Sequence, residues 1–113
     1  MGASDNPSRY SFLALNRLLQ HGHPVVGIGR KKLHVQGVTV ENEQVPFTDV
    51  DTITLYLNPR HQEQYYDYIL SLKPKRVIFN PGTENPELQN RLQKAGIPFM
   101  EACTLVMLST GQY

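Results

Sequence analysis

The sequence predicts an α/β fold with a doubly wound parallel sheet, and two observations carry the prediction. Short apolar runs without polar alternation, read as strands buried on both faces, alternate with segments whose apolar residues recur at helical spacing. The breaks between them fall on Asn-Pro, Pro-Gly and Gly-x-Pro groups, which end or start regular structure. With 113 residues and 40% apolar content the chain suits one globular domain over residues 1–113.

The first helix runs from Ser8 to Gln20 with Phe12, Leu15, Leu18 and Leu19 on one face. It stops at His21-Gly22-His23-Pro24, where glycine closes a helix and proline forbids its continuation. Pro24 to Gly29 reads as a buried strand opening into the cationic loop Arg30-Lys31-Lys32. Leu33 to Val40 alternates around Gly37 and fits a small hairpin or an edge strand, Glu41 to Pro46 is loop, and Phe47 to Val50 fits one turn of helix. Ile53 to Leu57 is the second clear strand and leads to Asn58-Pro59. Gln62 to Leu72 follows as a helix with Tyr65, Tyr68, Ile69 and Leu72 on one face, ended by Lys73-Pro74. Arg76 to Phe79 is the third strand, closed by Asn80-Pro81-Gly82-Thr83. Asn85-Pro86-Glu87 starts a helix that passes through Leu88 and Leu92 to Ala95-Gly96, and Pro98-Phe99-Met100 begins a fourth strand.

Composition narrows the function. A net charge of +1 with 19% charged residues gives no broad electrostatic footprint for nucleic acid, and the only local basic run is Arg30-Lys31-Lys32. No stretch approaches the roughly 18 to 20 apolar residues of a membrane span. No charged-then-apolar signal peptide opens the chain, so a cytoplasmic location without membrane contact is expected. Cys103 is the single cysteine, which leaves no internal disulfide, and no metal-ligand spacing appears.

The run Gly2-Ala3-Ser4-Asp5-Asn6-Pro7-Ser8-Arg9-Tyr10 reads as a glycine-containing turn feeding the first helix. Unpaired N–H groups and the positive end of the dipole attract phosphate at such a place. Gly2 and Ala3 let a ligand approach the backbone, and Arg9 adds a positive charge. Asn-Pro-Ser at a helix start is also ordinary capping chemistry. In doubly wound sheets ligands bind beyond the carboxyl ends of the strands. Gly29-Arg30-Lys31, Asn58-Pro59 and Asn80-Pro81-Gly82 each follow a strand and would converge there with the opening turn. Each is equally a turn that any strand-to-helix connection needs, and Arg30-Lys31-Lys32 is equally a solvated loop.

The opening run, the His21-Gly22-His23 turn before the strand ending at Gly29-Arg30-Lys31, Phe79-Asn80-Pro81-Gly82-Thr83-Glu84-Asn85 and the late Cys103-Thr104 resemble the small stand-alone CoA-binding proteins. Those proteins are similar to the CoA-binding domain of the succinyl-CoA synthetase α subunit. The resemblance spans essentially the whole chain, and the Gly-Ala-Ser-x-x-Pro-x-Arg opening is its most specific part. It implies a Rossmann-like fold that binds coenzyme A, with no established catalytic activity of its own. Carried over residue by residue, it places Gly2, Ala3, Ser4 and Asn6 around the pyrophosphate, with Arg9 and Tyr10 at the start of the helix beside it. Arg30, followed by Lys31 and Lys32, would flank the 3′-phosphate at the adenosine end. Asn58 and Pro59 would border the adenine or ribose, and Asn80, Pro81 and Gly82 the pantetheine.

Two features depart from the family pattern. Only Met1 precedes Gly2, where members carry an apolar first strand in the middle of the sheet, so a chain truncated at its N-terminus, or one that borrows an edge from another chain, is expected. The glycine turn lacks the G-x-G-x-x-G spacing, with Ser4 and Pro7 in it. Arg30 stands where NAD enzymes carry an acid for the ribose, which disfavours NAD.

No catalytic constellation accompanies these residues. His21 and His23 lie at a helix-to-strand turn, away from the carboxyl ends of the strands, and His61 has no Asp or Glu partner at an identifying spacing. Cys103 follows the last strand as a small apolar residue, or as a thiol near the pantetheine that forms a mixed disulfide. Tyr65, Tyr66 and Tyr68 read as helix packing. The expected function is a CoA- or acyl-CoA-binding sensor, carrier or regulatory module, with a homodimer or another protein as partner. The alternative is a CoA- or nucleotide-dependent enzyme subunit that completes its active site with a partner protein.

Overall fold

The computed structural model describes residues 1–2, 10–29, 32–35 and 37–113. The chain forms two compact units, one of Met1–Gln44 with Thr104–Tyr113 and one of Val45–Cys103.

In the first unit α1 (Tyr10–Gln20) buries Ser11, Ala14, Leu15 and Leu18. Leu15 packs with Val38 and Val40, and Phe12, Leu19 and Val25 close around them, as the apolar spacing requires. The helix ends in a Schellman motif: the N–H of Gly22 donates to Leu19 O and that of His23 to Leu18 O, both at 3.0 Å. Gly22 takes the left-handed conformation this closure needs, at φ +80°. Strands β1 (Gly27–Ile28), β2 (Leu33–Val35) and β3 (Val38–Glu41) form a sheet in the order β1-β3-β2. β1 runs parallel to β3 and β2 antiparallel to it, so this sheet is mixed. The alternation around Gly37 is thus a hairpin, and its second strand continues to Glu41, one residue into the segment read as loop. Of the strand expected over residues 24–29, Gly27–Ile28 pair with β3, and the Gly29 N–H adds a bond to Glu41 O at 2.9 Å. Pro24 has no N–H to give a ladder, and Val26 is 57% exposed.

The second unit holds a fully parallel sheet, β4-β5-β6, of Thr52–Leu55, Arg76–Phe79 and Phe99–Glu101. The central strand matches the sequence expectation residue for residue. Val77, Ile78 and Phe79 are consecutive and all fully buried, the pattern of a strand covered on both faces. The helix expected over residues 62–72 starts earlier and is broken: α2 (Pro59–Gln62), a 3-10 turn over Glu63–Tyr65, then α3 (Tyr66–Leu72). Asn58 and Pro59 supply cap and first-turn residue, so the backbone turns helical at Pro59, three residues before the expected start. Lys73 closes α3 at φ +48°, ahead of Pro74. α4 (Pro86–Lys94) presents Leu88 and Leu92, both fully buried, at i and i+4. Residues 47–50 form no helix turn, and Asp49 lies there at φ +56°. The helix α5 (Thr104–Ser109) belongs to the first unit and has no counterpart in the sequence reading.

Candidate functional site

Because β4, β5 and β6 are parallel, the residues that follow them lie at one end of the second unit's sheet: Asn58-Pro59, Asn80-Pro81-Gly82 and Cys103. Asn80 to Thr83 is a type II turn. Pro81 holds the first central position, Gly82 the second at φ +89°, and the N–H of Thr83 donates to Asn80 O at 3.0 Å. The Thr83 hydroxyl donates to the same carbonyl at 2.7 Å.

The polar side chains of this end point inward. Asn80 is 2% exposed, and its Nδ2 donates to Thr54 Oγ1 at 2.7 Å and to Leu55 O at 2.8 Å, tying β5 to β4. Gln62 Nε2 donates to Leu57 O at 2.7 Å and to Thr83 O at 2.8 Å. Gln62 Oε1 accepts from Asn85 Nδ2 at 3.0 Å, and the same Nδ2 donates to the Tyr66 hydroxyl at 2.8 Å. Asn85 Oδ1 accepts from Glu87 and Leu88 N–H as the cap of α4. The Arg91 guanidinium lies 5.0 Å from the centre of the Tyr66 ring. Buried amides of this kind persist only when their donors and acceptors are matched, and these are.

What faces outward is smaller. Asn58 is exposed, and its Oδ1 accepts from His61 N–H at 3.0 Å. Pro81, Gly82 and Glu84 are exposed, and Glu84 Oε1 accepts from Gly82 N–H at 2.9 Å. Cys103 is half-buried.

Of the first unit's expected site residues, Gly2, Tyr10 and Gly29 are described, whereas Ala3, Ser4, Asn6, Arg9, Arg30 and Lys31 lie outside the described residues. Gly2 has φ +87°, and its N–H donates to Ile28 O at 2.9 Å, so this N–H braces the end of β1. The Gly29 N–H is likewise held by Glu41 O. Tyr10 opens α1 and is 71% exposed. His21 lies in a cleft of about 160 Å³ with Leu13, Arg17, Leu105, Leu108 and Ser109, and His23 packs edge-on against Tyr113 at 4.9 Å. Among the described residues no group of three His, Cys, Asp or Glu is placed to hold a metal ion, and no helix is long and apolar enough to cross a membrane.

Sequence reasoning missed Gln62, Tyr66 and Thr54. The cap at Asn85 was signalled by the proline after it; its pairing with Gln62 had no local signal.

A family profile described as a CoA binding domain matches residues 1–109. A crystal structure described as an uncharacterized protein is 54% identical, with a TM-score of 0.96 over 99% of this chain and 93% of that one. A conserved hypothetical protein from Pyrococcus furiosus is 28% identical, with a TM-score of 0.81 over 93% of this chain and 92% of that one. A hypothetical protein from Pyrococcus horikoshii OT3, at 23% identity and a TM-score of 0.87 over 96% of this chain and 78% of that one, shares the fold. No curated protein matches.

Proposed function

Because the chain belongs to the CoA-binding domain family, we propose that it binds coenzyme A or an acyl-CoA as a sensor, carrier or regulatory module without chemistry of its own. The family match over residues 1–109 supports the binding of CoA. Ala3, Ser4 and Asn6 take the pyrophosphate; Gly2, whose N–H is held by Ile28 O, contributes only the room for close approach that a residue without a side chain leaves. Arg9 and Tyr10 flank it, and Arg30, between Gly29 and Lys31, grips the 3′-phosphate, which a guanidinium can hold bidentately.

Asn58 and Pro59 border the adenine or ribose, and Asn80, Pro81 and Gly82 the pantetheine. The chemistry of the last loop supports its part. Glu84 occupies the Gly82 N–H and brings a negative charge, which opposes a phosphate but not the neutral pantetheine. Asn80, buried and bonded to β4, acts by fixing the Pro81-Gly82 turn.

Calorimetric titration with CoA, dephospho-CoA and NAD tests the proposal. Binding of CoA that weakens markedly without the 3′-phosphate supports it, and a folded protein that binds none of them refutes it. Turnover of an acyl-CoA by the purified chain would replace the module with the enzyme-subunit reading.

A further inference from the structure

We propose that Gln62 is a positioning residue that couples the two loops assigned to the opposite ends of CoA, holding them at a fixed separation; the inference rests on the function proposed above. Gln62 closes α2 and is fully buried, although α2 is a single turn at the end of the sheet. Its two N–H bonds reach two different loops. One ends on Leu57 O, the residue before Asn58, and the other on Thr83 O, the residue after Gly82. A carboxamide has two donors, and both are used in joining the segments.

Asn85 sets the direction of this amide. Its own Oδ1 is committed to the first N–H groups of α4, so its amino group faces Gln62 and accepts nothing. The Gln62 carbonyl must therefore turn toward Asn85 and its amino group toward the two loop carbonyls. Filling the space alone would need only an apolar side chain of similar volume, which avoids the cost of burying an amide. The bonded amide adds a defined distance between the loops.

A ligand held at two places gains affinity from the fixed separation of its sites, and each half of the ligand gains nothing from it. In Gln62→Met the volume is kept and the tie is removed. CoA is expected to weaken about tenfold while adenosine 3′,5′-bisphosphate and pantetheine, titrated separately, stay within about twofold. Unchanged CoA affinity in the folded variant, or fragments that weaken as much as CoA, would overturn the inference.

Amide hydrogen exchange without ligand reads the tie independently of CoA. The N–H groups of His61 and Thr83, held by Asn58 and Asn80, lose protection together in the variant. Loosening of one loop with the other unchanged overturns the coupling, whereas a wild-type protein that binds no CoA refutes the proposed function and leaves this exchange result to decide the tie. Should Gln62→Met fail to fold, Gln62→Asn, too short to reach both carbonyls, is expected to show the same paired loss and is refuted by the same result.

Discussion

Replacing Asn85 by alanine removes four hydrogen bonds from a side chain that is 4% exposed. Two of them hold the N–H groups of Glu87 and Leu88, and losing a cap of this kind costs about 0.5–2 kcal/mol. The other two satisfy Gln62 Oε1 and the Tyr66 hydroxyl inside the second unit. A hydroxyl can rotate toward another partner, but the Gln62 oxygen is fixed by the bonds of its own amide. One buried acceptor left bare costs about 1–3 kcal/mol. The expected loss is about 1.5–5 kcal/mol, a large fraction of the roughly 5–15 kcal/mol that holds a domain together. Asn85→Asp separates the two parts. Aspartate caps as well as asparagine, and its charge suits the positive end of α4, yet it donates nothing to Gln62. It should remain about 1–3 kcal/mol below wild type. Urea denaturation with an unchanged slope measures both variants. An Asn85→Asp protein as stable as wild type would show that Asn85 acts only as a cap and would refute the case for the buried network.

Burial first, and the nearby Tyr65 second, push the Tyr68 phenol above its ordinary value of 10.0 while its hydroxyl donates to Val45 O. The folded chain thus keeps this proton to higher pH than the unfolded chain. The contribution is whole below about pH 10 and is lost as pH rises through the folded value. Stability should fall more steeply above that pH in wild type than in Tyr68→Phe, which itself loses about 0.5–1.5 kcal/mol at neutral pH; parallel profiles would contradict the assignment. Gly82→Ala meets no atom within 4 Å, so its cost is conformational, about 1–2 kcal/mol at φ +89°, and a neutral thermal melt would argue against the turn assignment. Arg30→Ala should weaken CoA about 10- to 100-fold and leave dephospho-CoA nearly unchanged. Equal losses for both ligands would move Arg30 away from the 3′-phosphate.

What the sequence made legible was local. The turn Asn80-Pro81-Gly82-Thr83, the cap Asn85 before Pro86 and the stop Gly22-His23-Pro24 are each set by one residue's φ preference or capping oxygen, and each stands where it was expected. β5 was equally plain, since a strand buried on both faces is an unbroken apolar run. Other elements were missed or misplaced. α5 has only six residues, too few to show a period, and β1 covers Gly27–Ile28 where the reading had a strand over residues 24–29. Gln62 and Asn85 are 23 residues apart, as are the ends of no pattern a local window could detect.

The carboxyl end of the parallel sheet shows why residue type and spacing alone leave the site half-read. A polar residue just past a strand has two available roles, to meet a ligand or to hold the loop that does, and both call for asparagine or glutamine. Burial separates them. Asn58 and Gly82 face outward, whereas Asn80, Gln62 and Asn85 are buried with donors and acceptors matched inside the unit. Loops carry little rigidity of their own, so a binding surface made from them needs a support whose rotamers are locked. In this chain both loops are held by a relay of carboxamides running from the cap of α4 to their backbones. On the function proposed above, substitutions in the relay are expected to act on affinity through geometry, and those at the exposed loop residues by contact.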